Sequence, residues 1–209
     1  MVKMMAEDLS EVLGEAKSYA DTMQKSPDSE ETDHCAGQIR NKISYMNEII
    51  NEDLALSNYE YDKKSMERKN INLLEICEKS VMRNQIKADE KKLTFQVSGV
   101  CNAKGDRKLL QKVFETMISN AIRYAVEESE IQIIAEEGSI CIRNKTDQVL
   151  PQNSGKLWKC MVSQNIEHEK EGEIGLGIAE KIVKDHKWKY SLAYDKENRI
   201  LESRITGIR

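Results

Sequence analysis

The chain has 209 residues and a formal net charge of −4, with acidic and basic residues interspersed. Charged residues make up 33% and apolar residues 39%, with only 10 glycines and 2 prolines, so a disordered or low-complexity protein is excluded. The length suits one medium-sized domain with a smaller helical element, and the mildly acidic balance offers no basic surface for nucleic acid.

The first third of the chain predicts two amphipathic helices joined by a turn. Apolar or small side chains recur every three or four residues from residue 3 to 25, and again from about residue 32 to 58. Pro27 and the serines beside it interrupt this pattern. Because a lone two-helix hairpin buries too little apolar surface, we expect residues 1–66 to form a four-helix bundle in a homodimer.

Residues 67–209 predict an α+β sandwich with one mixed sheet and helices on one of its faces. The patterns predict, in chain order, a helix at 71–88, a strand at 93–97, a helix at 106–126 capped by Asp106, strands at 131–135 and 139–142 joined by a turn at Glu137-Gly138, an irregular polar stretch at 144–172, a helix at 177–186, and strands at 189–194 and 201–205. The predicted domain boundary lies between residues 66 and 67.

The five cysteines are far apart in sequence, and three of them lie in apolar stretches. We expect them to behave as small buried hydrophobes in a reducing compartment, not as disulfides or metal ligands. No apolar run reaches the roughly 18 residues that span a bilayer, and no signal peptide precedes the first helix. These features predict a cytoplasmic protein, or the cytoplasmic part of a membrane sensor whose sensor region alone would contact the membrane.

The segment from Gln111 to Tyr124, QKVFETMISNAIRY, resembles the asparagine box of the histidine kinases and their GHKL-type ATPase domain. The order of the predicted elements resembles that family over nearly the whole chain. The resemblance implies that Asn120 helps to hold Mg²⁺ against the phosphates of ATP and that Arg123 reaches those phosphates. An amide oxygen suits Mg²⁺, and one helical turn places both residues on one face. The resemblance also assigns Tyr124, the next residue, to nucleotide binding. Without the resemblance, Asn120 would be an ordinary helix residue bonding a neighbouring carbonyl.

A second match is EGEIGLGIAEKIV, from Glu171 to Val183, which resembles the second glycine box of the same family. In that family a lid segment meets a helix whose N-terminus faces the phosphates. The resemblance therefore assigns Gly175 and Gly177 to nucleotide binding. Trp158 is similar to the aromatic residue that anchors the lid, although a packing role accounts for it equally well.

The first helix departs from the family at its defining residue. Its best match to the histidine box places Glu7 at the phosphoacceptor position and Asp8 at the acidic neighbour that activates the acceptor. No histidine occurs in this helix. A phosphorylated carboxylate would be a labile acyl phosphate, so we expect autophosphorylation to be lost. Glu7 would then be either a fixed negative charge or a solvated residue without a role.

The expected nucleotide site is also eroded. Asn144 stands where the first glycine box has the aspartate that binds the adenine amino group, and the glycines that should follow it are replaced. Thr116 replaces another asparagine, and Glu173 adds a negative charge beside the expected phosphates. We therefore expect binding of ATP and Mg²⁺ to be weak or lost.

The resemblance implies the core of a two-component sensor histidine kinase, here a pseudokinase that docks the receiver domain of a response regulator. A variant of this hypothesis is that the natural protein has a histidine at position 7. Two alternatives stay open. His34, at the start of the second predicted helix, could accept a phosphoryl group from a partner without ATP, although such a histidine is more commonly just an exposed residue. The chain could also be a dimeric regulatory scaffold without phosphotransfer.

Overall fold

A computed structural model describes residues 2–25, 29–166 and 175–209; the side chains of residues 162–166 and many of those in the first two helices lie outside this description. The helices in these ranges are α1 (Val2–Lys25), α2 (Ser29–Lys64), α3 (Leu73–Arg83), α4 (Gln85–Glu90), α5 (Arg107–Tyr124), α6 (Ser154–Ile166) and α7 (Leu176–Asp185). The strands are β1 (Lys69–Asn72), β2 (Thr94–Gly99), β3 (Asn102–Gly105), β4 (Glu130–Glu136), β5 (Ser139–Lys145), β6 (Lys189–Asp195) and β7 (Ile200–Thr206).

Five strands form one mixed sheet in the order β2-β4-β5-β7-β6. β2 and β4 are parallel, and the other neighbours are antiparallel. A separate antiparallel ribbon joins β1 to β3, with Ile71 opposite Ala103. Gly99 ends β2 at φ +91°, and a Cβ added there would lie 1.8 Å from the carbonyl oxygen of Ala135 on β4. Only glycine therefore fits at this close approach of two paired strands.

The helices cover one face of the sheet. Along α5, buried apolar residues recur every three or four positions from Leu109 to Ile122. They share one core with the inward side chains of β4 and β5, where Ile133 pairs with Ile142. The opposite face carries partly exposed charged side chains, Arg143 among them. The predicted α+β fold with helices on one face of a mixed sheet is thus confirmed.

Two predictions about turns and caps are confirmed as well. The Asp106 carboxylate accepts hydrogen bonds from the backbone N–H groups of Lys108 (2.9 Å) and Leu109 (3.0 Å), which starts α5. Gly138 lies at φ +79° in the turn between β4 and β5. These residues set where α5 begins and how β4 returns as β5.

The predicted helix at 71–88 is wrong in its extent. Residues up to Asn72 form β1, and the Asn72 side chain accepts a hydrogen bond from the backbone N–H of Leu74 (2.9 Å), which starts α3. The helix then breaks at Asn84, whose side chain donates to the Ser80 carbonyl (2.9 Å), and α4 follows. Pairing between β1 and β3 is a long-range contact that local periodicity does not report.

The predicted irregular stretch at 144–172 is wrong in part. β5 continues to Lys145, and residues 154–166 form α6. Leu157 and Met161 are buried one turn apart and give α6 a narrow apolar stripe. Because only two residues make up this stripe, it is too short to indicate a helix in the sequence.

The helical hairpin leaves apolar residues uncovered. α1 packs against α2, and Val12 and Cys35 are buried. Leu13 on α1 and Ile43 on α2 are instead 55% and 50% exposed. Because exposed apolar residues on a two-helix hairpin are stabilised by a partner surface, this part of the chain is suited to association.

Polar contacts fasten the end of α2 to α7. Asp185, at the end of α7, accepts a hydrogen bond from the Tyr59 hydroxyl and pairs with the Lys63 ammonium (2.8 Å). The Asp185 backbone carbonyl accepts a second bond from the Arg68 guanidinium (2.5 Å). We call these four residues the Asp185 latch. It joins the hairpin to the α+β part of the chain.

A charged network lies on the open face of the sheet. Glu202 on β7 pairs with Arg143 on β5 (2.7 Å) and with Arg204 on β7 (2.8 Å). Burial alone would raise the pKa of Glu202, but hydrogen bonds from Arg204 and Arg143 outweigh burial and lower that pKa to about 2. The carboxylate is therefore ionised at neutral pH, where it stabilises the fold.

Replacing Glu202 by glutamine is expected to lower the free energy of unfolding at pH 7 by about 2 kcal/mol. Because the folded pKa lies below its ordinary value of 4.5, the stabilisation is present above that pH and is lost as the pH falls towards 2. Urea unfolding should show the difference between wild type and variant shrinking to roughly half or less at pH 3. Glu197→Gln, in the β6–β7 turn, should show no difference at either pH. A Glu202→Gln difference independent of pH would contradict the assignment.

The cysteines are free thiols. Four are buried, as expected for small hydrophobes, and the fifth is partly buried: Cys35, Cys77, Cys101 and Cys141, and then Cys160. Burial raises the pKa of the Cys141 thiol to about 11, so this thiol is protonated and unreactive at neutral pH. Among the helices in the described ranges, none combines the length and the apolar character needed to cross a bilayer.

Candidate nucleotide-binding site

The last two turns of α5 carry a buried amide. Asn120 is 8% exposed, and its Nδ2 atom has no hydrogen-bond partner among the described residues. Met117 and Ala121, its neighbours on the helix, are buried and apolar. A buried donor without a partner costs roughly 1–3 kcal/mol, so its presence calls for an explanation. A ligand acceptor such as a phosphate oxygen would satisfy this N–H donor, whereas Mg²⁺ would bind the amide oxygen of the same side chain.

Tyr124 is buried at the end of α5, against α6. Its ring belongs to an apolar cluster with Leu157 and Met161 of α6 and Leu176 of α7. Burial is the main cause of the raised pKa of Tyr124, and Arg123 is close enough to hydrogen-bond the hydroxyl group. α6 thus packs onto the end of α5 through its own apolar side chains.

β5 ends close to the C-terminus of α5. Asn144 is 4% exposed, and its Nδ2 donates to the carbonyl of Lys145 (3.1 Å), so the amide oxygen is its accepting end. The backbone N–H of Val126, two residues beyond α5, donates to that same Lys145 carbonyl (3.0 Å). This bond ties the strand that carries Asn144 to the turn that follows Asn120.

Within the described residues, the N-terminus of α7 has no side-chain cap. Its N-cap residue, Gly175, has no side chain that could occupy the first-turn N–H groups. These groups and the helix dipole favour an anion. Gly177 is exposed, and a Cβ there would meet no atom within 4 Å. Packing therefore does not require glycine at this position. A glycine there leaves the helix N-terminus accessible to a ligand.

The structure brings three of these elements together, since Leu176 packs in the Tyr124 cluster and Val126 bonds to the end of β5. The donor set fits a Mg²⁺-phosphate group. The Asn120 amide would hold the metal ion, and Arg123 with the first-turn amides of α7 would hold phosphate oxygens. The adenine side fits less well, because a neutral amide at Asn144 replaces the expected carboxylate.

Several candidates from the sequence lie elsewhere. The side chains of Glu7 and Asp8 on α1, and the whole of Glu173, are outside the described residues. His34 is exposed on α2. It lies in the second turn of that helix and not at its start, because α2 begins at Ser29.

Two further side chains pack against the elements that form the site. Lys91, at the end of α4, hydrogen-bonds carbonyls at the end of α5 that are 31 to 34 residues away in sequence. No local pattern marks such a residue, because its partners are defined by packing alone. Trp158 on α6 packs edge-on against Tyr190 of β6, with ring centroids 5.4 Å apart, which is the packing role predicted for it.

The fold thus consists of a helical hairpin followed by a mixed sheet with one helical layer. No family model and no curated protein sequence matches the chain. Solved structures do match. The chain is similar to the Acinetobacter baumannii histidine kinase AdeS, at 14% identity and a TM-score of 0.52, over 96% of this chain and 96% of that chain.

Two further structures agree. The mycobacterial sensor histidine kinase MprB is 14% identical, with a TM-score of 0.54, over 68% of this chain and 97% of that chain. Full-length ShkA in complex with AMPPNP is 10% identical, with a TM-score of 0.59, over 100% of this chain and 46% of that chain. The chain therefore has the fold of a histidine kinase core, which confirms the resemblance predicted from its motifs.

Proposed function

We propose that this chain is the core of a two-component sensor histidine kinase that binds Mg-ATP weakly and does not phosphorylate itself. The observation that carries the proposal is Asn120, a buried amide whose Nδ2 has no partner among the described residues, at the motif position expected to hold Mg²⁺. The AMPPNP bound to full-length ShkA, an ATP analogue on the same fold, supports a nucleotide as the ligand.

Each polar group of the site has a proposed role. Asn120 would bind the metal ion, and Arg123 with the backbone amides at Gly175 and Gly177 would bind phosphate oxygens. Asn144 would accept a hydrogen bond from the adenine amino group. Mg²⁺, when bound, neutralises phosphate charge. Because an amide replaces a carboxylate at Asn144, we expect a dissociation constant on the order of 1 mM.

The proposed loss of autophosphorylation rests on α1. The histidines of the chain are at positions 34, 168 and 186, so α1 contains none. Glu7 would occupy the acceptor position, with Asp8 as its acidic neighbour. Because a carboxylate cannot form a phosphoramidate, the chain would signal by its conformation and by docking the receiver domain of a response regulator on the hairpin.

The proposal includes a homodimer built from the hairpin. We divide the chain into a dimerisation hairpin at 1–66 and an ATPase-type domain at 67–209, and α2 ends and β1 begins on either side of this boundary. Leu13 and Ile43 are half exposed in the single chain. A second copy would cover them in a four-helix bundle.

Calorimetric titration with Mg-ATP, followed by a label-transfer assay, tests the proposal. Wild type should bind Mg-ATP and take up no label from it. Glu7→His should bind equally well and take up label on the new imidazole, because the proposal attributes the loss of autophosphorylation to the missing acceptor. Glu11→His is the matched control, since it places a histidine one turn further along α1, and it should stay unlabelled.

Each outcome bears on a different part of the proposal. Label on the wild-type chain would overturn the loss of autophosphorylation. Label on Glu11→His but not on Glu7→His would move the acceptor position by one turn. No binding of Mg-ATP at about 10 mM would overturn the nucleotide function and favour a dimeric scaffold.

The exposure of His34 on α2 supports a second candidate, an ATP-independent phosphotransferase. His34 would accept a phosphoryl group from the aspartyl phosphate of a receiver domain. Incubation with a phosphorylated receiver should then give acid-labile phosphate on wild type and none on His34→Ala. Equal phosphate on both chains would rule out His34 as the acceptor, and no phosphate on wild type would reject this candidate.

A further inference from the structure

Lys91 holds the carbonyl end of α5. Its side chain is partly buried, and its ammonium donates hydrogen bonds to the backbone carbonyls of Ile122 (3.1 Å), Arg123 (2.7 Å) and Ala125 (3.3 Å). An ammonium group has three N–H donors, so all three are used on this one turn of chain. The contact connects the end of α4 to the end of the helix that carries Asn120.

These carbonyls are ones that the helix itself leaves without partners, because no further turn follows to supply N–H groups. The N–H of Val126 is the donor that would have continued the helical ladder to Ile122. It donates instead to the Lys145 carbonyl on β5 (3.0 Å). The Ile122 carbonyl therefore depends on Lys91, and β5 and Lys91 fix the same turn from two sides.

We propose that Lys91 is a positioning residue for the nucleotide site. By clamping the last turn of α5, it sets the direction of the Arg123 side chain and the place of Asn120, one turn earlier. Arg123 is affected most directly, since its own carbonyl makes the shortest of the three bonds. This inference rests on the proposed nucleotide function and assigns that function a residue that does not touch the ligand.

The charge of Lys91 suits this place. A cation at the C-terminus of a helix offsets the negative end of the helix dipole. Burial lowers the pKa of Lys91, and nearby Glu127 opposes this shift whereas Arg123 adds to it. The ammonium thus sits near a second cation at the end of α5, where positive charge would favour phosphate oxygens.

Lys91→Met tests the proposal, because methionine keeps much of the side-chain length and removes all three donors. We expect its affinity for Mg-ATP to fall by at least about tenfold, with unchanged affinity for adenosine, which has no phosphates. Amide hydrogen exchange at residues 122–126 should rise by at least about tenfold in the variant. Lys91→Arg, which retains a charged donor, should restore most of the Mg-ATP affinity.

Lys92→Met is the matched control. Lys92 is the next residue along the chain, pairs with Glu128 and has a side chain that is 74% exposed, so the variant should behave as wild type in both assays. Unchanged Mg-ATP affinity and exchange in Lys91→Met would overturn the role of Lys91. Equal losses of adenosine and Mg-ATP affinity would also overturn it, since they would indicate a general structural defect. A wild-type chain without affinity for Mg-ATP would overturn the proposed function itself. Because this is measured on the wild type, it is distinguishable from a failure of the role assigned to Lys91.

Discussion

Replacing Asn120 by alanine is expected to raise the free energy of unfolding by about 1 kcal/mol and to weaken Mg-ATP binding by at least about tenfold. The substitution removes a buried Nδ2 donor that has no partner among the described residues. Alanine also has the higher helix propensity, which favours the α5 helix. At the same time the change deletes the proposed Mg²⁺ ligand. A residue that weakens the fold and serves a ligand is typical of a functional site.

Asn84→Ala is the matched comparison for this prediction. Asn84 is 7% exposed, so it is as buried as Asn120, but its Nδ2 donates to the Ser80 carbonyl (2.9 Å). Its replacement should lower the free energy of unfolding by about 1 kcal/mol and leave Mg-ATP affinity unchanged. Urea unfolding followed by circular dichroism gives the free energies, and calorimetry gives the affinities. Equal destabilisation by both substitutions would show that Asn120 serves packing and not a ligand.

Replacing Asp185 by alanine is expected to lower the free energy of unfolding by about 2–3 kcal/mol. Tyr59 is 1% exposed, and its hydroxyl donates to the Asp185 carboxylate, so alanine would leave a buried hydroxyl without its acceptor. Lys63 would lose its ion pair in the same change. Because Tyr59 lies on α2 and Asp185 at the end of α7, the loss falls on the contact between the hairpin and the α+β part.

The Asp185 latch should also respond to acid. Burial raises the pKa of Asp185, but hydrogen bonds from Lys63 and Tyr59 outweigh burial and lower that pKa below its ordinary value of 3.8. Because the pKa is lower in the folded state, the ionised Asp185 carboxylate stabilises the fold above pH 3.8. This stabilisation is lost as the pH falls through the folded pKa.

Thermal unfolding of wild type and Asp185→Ala should therefore differ at pH 7 and converge as the pH falls below about 3.8. Tyr59→Phe removes the buried hydroxyl together with its need for an acceptor, so it should cost less than Asp185→Ala. Asp147→Ala breaks only a surface pair with Arg199 (3.4 Å) and should match wild type. A larger loss in Tyr59→Phe than in Asp185→Ala would contradict the latch.

The elements with long apolar stripes could be predicted, and the short polar ones could not. α5 buries ten of its residues, so its periodicity is visible in the sequence. β1 is a four-residue strand, KNIN, whose partner residues on β3 lie 30 to 36 positions later in the chain. α6 shows only a narrow stripe at Leu157 and Met161. Where tertiary pairing supplies the stabilisation, local propensity carries little information.

The candidate site was predictable in its motif and not in its surroundings. The asparagine-box pattern located Asn120 and Arg123, since both depend on spacing within one helix. The motif also assigned Tyr124 to the nucleotide. The structure packs Tyr124 against α6, and a contact with the ligand stays a prediction. The role of Lys91 could not be predicted, because a lysine at the end of a short helix is usually a solvated surface residue.

The sequence by itself determined the order of most helices and strands, the asparagine and glycine motifs, and the absence of histidine from α1. These features depend on the chemistry and spacing of residues that are near one another in the chain. Only the tertiary structure decided that the Asn120 Nδ2 atom lacks a partner among the described residues, that Lys91 clamps α5 and that Asp185 receives the Tyr59 hydroxyl. The last two contacts join residues from 31 to 126 positions apart, and such bonds are set by how the elements pack.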